Sequence, residues 1–310
     1  MPECALSVVI PFYNAAATLS RCLDAIAAQH LARERFEVIA IDNNSTDGSA
    51  DIVRRYPDVV LLREESQGAY AARNRGVAAS HGTVLVFTDP DCVPDRDWLA
   101  AIEQAMAIAD TEIVIGGYVP PLHSHALRLL VQYENAKDAF VFSSGIPELY
   151  YGHTNNMAVR RATFDRFGPF VERRRGADTI FVRRVVETRP CSVVRYDAST
   201  RVTHLELDTV ATYYRKMATY GESRESYRHL SWTRPLSLRE RVAVMRRTRD
   251  ANRLSPVQSL ALILLLSAGL VAWRTGRARA QLRRLRRASS ETAPPLPHTA
   301  QELDRSTPTP

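Results

Sequence analysis

Over its first 120 residues the chain alternates between two hydrophobic periods, and this alternation limits its fold more than any other feature. Apolar runs rich in β-branched residues fall at Leu6–Phe12, Phe36–Ile41, Val59–Leu62, Thr83–Thr88 and Ile113–Ile115. Helix-period segments lie between them. In "TLSRCLDAIAAQHL", Leu19, Cys22, Leu23, Ile26 and His30 share one helical face. A further helix is predicted to open near Asp95 and to carry Trp98, Leu99, Ile102 and Met106. Strands that alternate with helices predict βαβ units, hence an α/β fold with a mostly parallel, Rossmann-like sheet flanked by helices. Ligands of such sheets bind beyond the carboxyl ends of the strands. Here those ends read "FYN" (12–14), "DNNSTDG" (42–48) and "DPD" (89–91), all polar after buried runs.

Asp89-Pro90-Asp91 admits two readings. Asp and Pro both favour turns. Proline also pushes the residue before it into extended backbone, so Asp89 finishes the strand and Asp91 projects from a stiffened loop. Asp95 and Asp97 lie closer to the next helix, so Asp91 is not needed as its cap. Two carboxylates at a strand's carboxyl end suit Mn²⁺ or Mg²⁺, which take hard oxygen ligands and share their shell with substrate phosphates. Asp42, last in an apolar strand, is placed to accept hydrogen bonds from a nucleobase or ribose. In "SQGAYAARNRGVAASHG" (66–82), Arg73 is a candidate diphosphate contact or a solvated helix arginine. Neither a G-x-G-x-x-G nor a P-loop occurs, which weakens dinucleotide and P-loop readings.

Residues 121–205 are mixed in pattern, with polar clusters at "GHTNN" (152–156) and "RRRGADTIF" (173–181) and a strand, "CSVVRYDASTRVTHLE", ending near His204. A helix is predicted from Asp208 to Tyr227. The tail changes character. Leu260–Trp273 has 14 residues without a charge, and Arg274–Arg287 then holds seven arginines and no acid. Those seven equal the whole net charge of +7, from 41 Lys+Arg against 34 Asp+Glu. A nucleic-acid binder would spread such charge along a groove, so no nucleic-acid partner is expected. Basic charge directly after an apolar run points to anionic lipid. A bilayer span takes about 20 apolar residues, and arginines flank this run on both sides. A helix lying in or dipping into the cytoplasmic leaflet is therefore the expectation, with a spanning helix or a buried helix as alternatives. The start lacks the basic segment of a signal peptide, and Cys4, Cys22, Cys92 and Cys191 show no metal-like spacing. A catalytic domain at the inner face of the cell membrane, in a reducing cytoplasm, is the corresponding expectation. The domains divide as 1–230, a membrane-associating helical region 231–288, and a Pro/Ser/Thr-rich tail 289–310.

Together these segments resemble the family-2 inverting glycosyltransferases of GT-A fold. "LSVVIPFYNAAATLSRCLDAI" is similar to that family's opening strand and helix, and "VIAIDNNSTDGSADIV" to its nucleotide-binding aspartate loop. "GAYAARNRGVAASHGTVLVFTDPD" is similar to the segment leading into its DxD motif, and "GHTNNMAVRRATFDRFGPF" to the segment before its catalytic-base motif. The resemblance covers roughly residues 5–205. It implies an inverting transfer of a sugar from a nucleotide-diphosphate sugar to a hydroxyl acceptor, a lipid-linked or cell-envelope glycan, with Mn²⁺ or Mg²⁺. It also implies a donor site drawn from Pro11, Tyr13, Asp42, Asn44, Gly68, Arg73 and Asp89. Asp91 would ligate the cation and Asp178 would be the general base. His204 matches a position where some members place a metal or diphosphate ligand; a core or surface histidine is the alternative. Asn155, Asn156 and Arg175 would face the acceptor. Ala177 departs from the pattern, standing where glutamate is usual. Two other classes fit less well. A nucleotidyltransferase needs a Gly-rich, basic phosphate loop after the first strand, which "PFYNAAAT" lacks. An inactive glycan-binding scaffold would not need Asp42, Asp89, Asp91 and Asp178 all intact.

Overall fold

A computed structural model describes residues 5–173, 175–227 and 233–291. Cys4, the boundary expected at 230–231 and most of the expected tail lie outside the described residues. The strands are β1 Leu6–Phe12, β2 Phe36–Asp42, β3 Val59–Arg63, β4 Val84–Thr88, β5 Cys92–Pro94, β6 Ile113–Tyr118, β7 Asn156–Arg160 and β8 Val194–His204. The helices are α1 Leu19–Ala27, α2 Ser49–Val53, α3 Ala69–Ala78, α4 Trp98–Ala107, α5 His125–Ser143, α6 Arg161–Phe167, α7 Ala177–Thr188, α8 Val210–Tyr227, α9 Leu238–Asn252 and α10 Pro256–Glu291.

All eight strands join one sheet in the order β3-β2-β1-β4-β7-β6-β8-β5. β7 runs antiparallel to both of its neighbours and β5 antiparallel to β8, while the other pairings are parallel. The expected mostly parallel sheet is therefore present with two reversed strands. Successive strand residues face opposite sides, and both sides are covered. Val9, Ile39, Ile41, Leu85, Phe87, Ile115 and Val159 pack under α3, α6 and α7. Val8, Ile10, Val38, Ala40, Val84 and Val86 pack under α1 and α4. Two covered faces explain why these strands are nearly continuous apolar runs. The predicted helix near Asp95 is α4, and its Trp98, Leu99, Ile102 and Met106 are all buried. His30 departs from expectation. α1 ends at Ala27, so His30 falls outside the helix, is exposed and pairs with Asp97 across 2.8 Å.

A third apolar cluster joins α5, α8, α9 and α10 through Leu127, Leu130, Tyr133, Tyr213, Val244 and Leu262. The C-terminal helices thus pack on α5 and α8. α8 and α10 approach so closely that a Cβ on Gly221 would overlap the Trp273 carbonyl, and one on Gly276 the Ala218 carbonyl. Small residues at a helix crossing permit such backbone approach. Tyr214 also donates to the Leu265 carbonyl at 3.0 Å. α10 is a continuous helix of 36 residues, so it extends well past the 14-residue uncharged run. Its Pro256–Arg284 stretch is long and apolar enough to cross a membrane by length and composition.

Candidate active site

The parallel register aligns the chemistry. β1 pairs with β2 from Leu6↔Phe36 to Phe12↔Asp42, and with β4 from Leu6↔Val84 to Val9↔Phe87. The segments after β1, β2 and β4 therefore emerge at one edge. β8 then brings His204 there, because β5 turns back from the DPD loop and pairs Cys92 with His204. The backbone N–H of Leu205 donates to the Asp91 carbonyl at 2.8 Å, which locks that contact.

One large cleft of about 2090 Å³ opens along this edge. Its lining includes Pro11, Tyr13, Arg73, Asp89, Asp91, Asn155, Arg175, Asp178 and His204. Tyr13 is 54% exposed, an aromatic face open to a planar ligand. Asp42, Asn44 and Gly68 stand beside the cleft and order its rim. Asp42 accepts from the Ser45 N–H at 2.9 Å. Asn44 ties to the Glu65 carbonyl at 2.9 Å, and the Gly68 N–H donates to Asn43 at 2.7 Å.

Asp91 and His204 face each other, with Nδ1 of His204 3.3 Å from Asp91 Oδ2. Nδ1 is buried yet lacks a well-formed hydrogen bond. Burial, then the charges of Asp89 and Glu206, push the Asp91 carboxyl up to about 7. Burial and the Lys216 charge push His204 down to about 3, so its imidazole is neutral with a lone pair to offer. A carboxylate and a neutral imidazole brought this close fit a divalent cation once the ring turns a lone pair to it. The Cys92 sulfur lies in the same cluster. Burial and the nearby carboxylates push that thiol well up, so it remains protonated and is the poorer ligand.

A carboxyl raised from its ordinary value to about 7 in the folded chain holds a proton through the acid range. Ionising Asp91 costs folding free energy above its unfolded pKa, and the cost grows until pH passes about 7. A cation bound by Asp91 must expel that proton. Mn²⁺ affinity should climb by about tenfold per pH unit below 7 and level off above it, since one proton is released per ion. Manganese titrations between pH 5.5 and 8.5 check this; a flat profile would remove Asp91 from the ligand set.

Asp178 opens α7 behind Gly176. It accepts from the Thr179 N–H at 2.8 Å, and the Thr154 N–H approaches at 3.4 Å. Burial pushes its carboxyl up, offset in part by the Thr179 N–H, the Arg73 charge and the Tyr70 hydroxyl. Gly152 permits this arrangement, because a Cβ there would lie 2.7 Å from the Asp178 carbonyl oxygen. Arg73, offered by the sequence as a diphosphate contact or a solvated arginine, lines the cleft but is not solvated. It is 4% exposed, ion-paired with Asp89 and stacked on Tyr70, so its charge serves Asp89 and Asp178. Asn156 is also not on the acceptor side. It is 1% exposed; its oxygen accepts from Trp98 at 2.9 Å and its amide donates to the Gly117 and Thr200 carbonyls. It bonds inside the sheet layer because β7 inserts it there. Ala177 is fully buried against the core.

Other cleft residues escaped the sequence reading. Lys216 on α8 donates from Nζ to His204 Nε2 at 2.6 Å. On α5, Glu134 pairs with Lys137, and Asp138 with Tyr151; His153 Nε2 lies 3.4 Å from Asp138. Tyr118 joins His153 to Asn155 at 3.3 and 2.9 Å. Glu134, Lys137 and Asp138 at i, i+3 and i+4 put three charges on one helix face. That was the available signal for a polar cleft wall.

A helix-flanked, mostly parallel sheet with carboxylates gathered beyond its strand ends defines a GT-A fold. The chain belongs to glycosyl transferase family 2, whose profile matches residues 7–166. It is 32% identical over 170 residues to glycosyltransferase AglE of Haloferax volcanii, covering 53% of this chain and 55% of that one. It is 36% identical over 92 residues to a poly(ribitol-phosphate) beta-glucosyltransferase of Bacillus spizizenii, covering 28% of this chain and 14% of that one. It therefore spans about half the length of the first of these relatives and less of the second. In structure it is similar to the mannosyltransferase PcManGT of Pyrobaculum calidifontis, solved with GDP-Man and Mn²⁺ (TM-score 0.57, 21% identity, 92% of this chain and 86% of that one). It is also similar to residues 1–349 of S. aureus TarS (TM-score 0.53, 15% identity, 90% of this chain and 91% of that one).

Proposed function

We propose that this protein transfers a sugar, with inversion, from a nucleotide-diphosphate sugar to a lipid-linked acceptor at a membrane surface. The observation that carries this reading is one continuous cleft. Its floor holds Asp89, Asp91, Asp178 and His204, and its far wall is α10 with Ile263, Leu266, Leu270 and Trp273. Tyr13 and the Asp42 loop suit the nucleoside. Asp91 and His204 would hold Mn²⁺ or Mg²⁺, the ion expected in this fold and present in the Pyrobaculum complex. Such an ion neutralises charge developing on the departing diphosphate. Asp178 takes the proton from the acceptor hydroxyl as it attacks the anomeric carbon from the far side. One base and one displacement invert that centre, so no nucleophile from the chain is required. Burial raises the Asp178 carboxyl, and the Thr179 N–H, Arg73 and Tyr70 offset part of that rise. Asn155 and Arg175 face the cleft from the acceptor side.

The acceptor assignment rests on how α10 divides its faces. At 3.6 residues per turn, Leu262 and Leu265 face the protein. Ile263, Leu266, Leu270 and Trp273 face the cleft, and Val257, Leu260, Leu264 and Val271 face outward. The cleft face adjoins the outward face, so an apolar chain could run from the active site into lipid. A helix packed along one side on α5 and α8 cannot be surrounded by lipid, which favours lying in the leaflet over spanning it. Arg274 and Arg277 extend the cleft lining toward anionic headgroups.

The test incubates purified protein with Mn²⁺, UDP- or GDP-linked sugars and a polyprenyl phosphate in detergent. The expected result is a glycolipid of inverted anomeric configuration, lost on chelation. If no donor is hydrolysed or transferred with either ion, the inactive scaffold becomes the better reading.

A further inference from the structure

Lys216 has no place in the mechanism above, yet it makes the most specific contact near the candidate metal site. It sits on α8, away from the motif-bearing segments, and its ammonium reaches His204 Nε2 at 2.6 Å. The other ring nitrogen faces Asp91 at 3.3 Å. An ammonium has only donors. To receive it, Nε2 must present its lone pair, so the ring proton sits on Nδ1. A neutral imidazole carries one donor and one acceptor.

This bonding excludes a metal ion. If a cation takes the Nδ1 lone pair, the ring proton moves to Nε2, and a donor would then face the ammonium. If the cation takes Nε2, it replaces the ammonium outright. Either way Lys216 must leave His204. Its charge cannot leave the cleft, because α8 is fixed by its close crossing with α10 at Gly221 and Gly276. Lys216 lines the same cleft as Asp89 and Asp91. Those carboxylates would already be served by Arg73 and by the ion. Of the other carboxylates in the cleft, Glu134 is held by Lys137 and Tyr213, and Asp138 by Tyr151 and His153, so the released ammonium has Glu206 and the donor's diphosphate within the cleft to turn to.

We propose that Lys216 is an exchangeable cation: it satisfies His204 until a divalent ion binds, and is then released to the diphosphate of the nucleotide-sugar. The inference rests on the reading of Asp91 and His204 as metal ligands. It assigns the phosphate-binding charge expected at Arg73 to a residue from the opposite wall. It also makes metal and donor binding cooperative, since the ion frees the group that the diphosphate uses.

The test measures two affinities with opposite expected signs in the full-length protein. Free Mn²⁺ binding is followed by loss of the aqueous manganese paramagnetic signal, at one pH. Lys216→Met removes the competitor and should bind Mn²⁺ about 10-fold more tightly than wild type, within the range by which outer-shell partners tune metal sites. With saturating Mn²⁺, the same variant should bind UDP or GDP about 10-fold more weakly, the loss of one charge-assisted contact, while uridine or guanosine binding is unchanged. Lys216→Gln repeats both measurements should the methionine variant fold poorly. Mn²⁺ affinity equal to or below wild type in a folded variant overturns the exchange. Unchanged nucleoside diphosphate affinity overturns the phosphate role. Asp91→Asn separates the two levels: if it keeps wild-type Mn²⁺ affinity, the underlying metal reading has failed.

Discussion

Asp178→Asn should lower sugar transfer by about 10²–10⁴-fold, the usual contribution of a positioned general base, and leave Mn²⁺–nucleotide binding intact. Asparagine keeps the size of the side chain and one oxygen, enough to accept from the Thr179 N–H at 2.8 Å; only the longer 3.4 Å contact from the Thr154 N–H, made to the other carboxylate oxygen, is lost. What it loses is the ability to take a proton. Burial pushes the Asp178 carboxyl up, and the two backbone N–H groups, Arg73 and Tyr70 offset part of that rise. Such a carboxylate is more basic than an exposed one, which suits it to accept a proton. Rates of transfer and calorimetric titration with a nucleoside diphosphate measure the two halves separately. Turnover like wild type would reject the assignment and direct attention to Asp138, a second carboxylate in the cleft, held by Tyr151 and His153. A parallel loss of nucleotide binding would mean that Asp178 shapes the donor site instead.

The second large effect concerns the membrane. Replacing Leu260, Leu264 and Val271 together with glutamine should reduce binding to anionic vesicles by on the order of 10³-fold, given about 1.5–3 kcal/mol for burying each large aliphatic side chain. These three residues are 59%, 63% and 64% exposed and line no part of the cleft, so fold and donor binding should survive. Glutamine is a good helix former, so α10 should persist. Co-sedimentation with phosphatidylglycerol vesicles is the measurement, with circular dichroism as the check on folding. Vesicle binding that survives in the triple variant would discard the outward stripe as the lipid contact. It would leave the arginines after Trp273, whose contribution should fade with salt.

Much of this is legible in the amino-acid sequence alone. The strand runs fell within a residue or two of β1, β2, β3 and β4 and on the first half of β6; β1, β2, β4 and β6 are covered on both faces and so nearly continuously apolar, while β3 is a partly exposed edge strand. The DPD loop and Asp42 stood out as carboxylates at the ends of apolar runs, while Asp178 was singled out only by the family resemblance. β5 and β7 did not stand out. They are short, and β7 begins on Asn156, whose polar side chain is satisfied only by Trp98, Gly117 and Thr200 from other parts of the fold. α5 was obscured for a related reason: its buried face carries Glu134, Lys137 and Asp138, which break the apolar period.

The residues around the candidate metal site mark the limit most clearly. Local pattern alone determined that carboxylates would gather where the first strands end, because parallel register and apolar periodicity are properties of neighbours in the chain. It could not determine that β5 would fold back to set Cys92 beside His204, or that α8 would deliver Lys216 to that imidazole. Nor could it separate Arg73, paired and buried, from an arginine awaiting phosphate. Those facts depend on which charges meet once segments more than 100 residues apart share one cleft. There, burial raises the cost of any unpaired charge and so decides which partner each group takes.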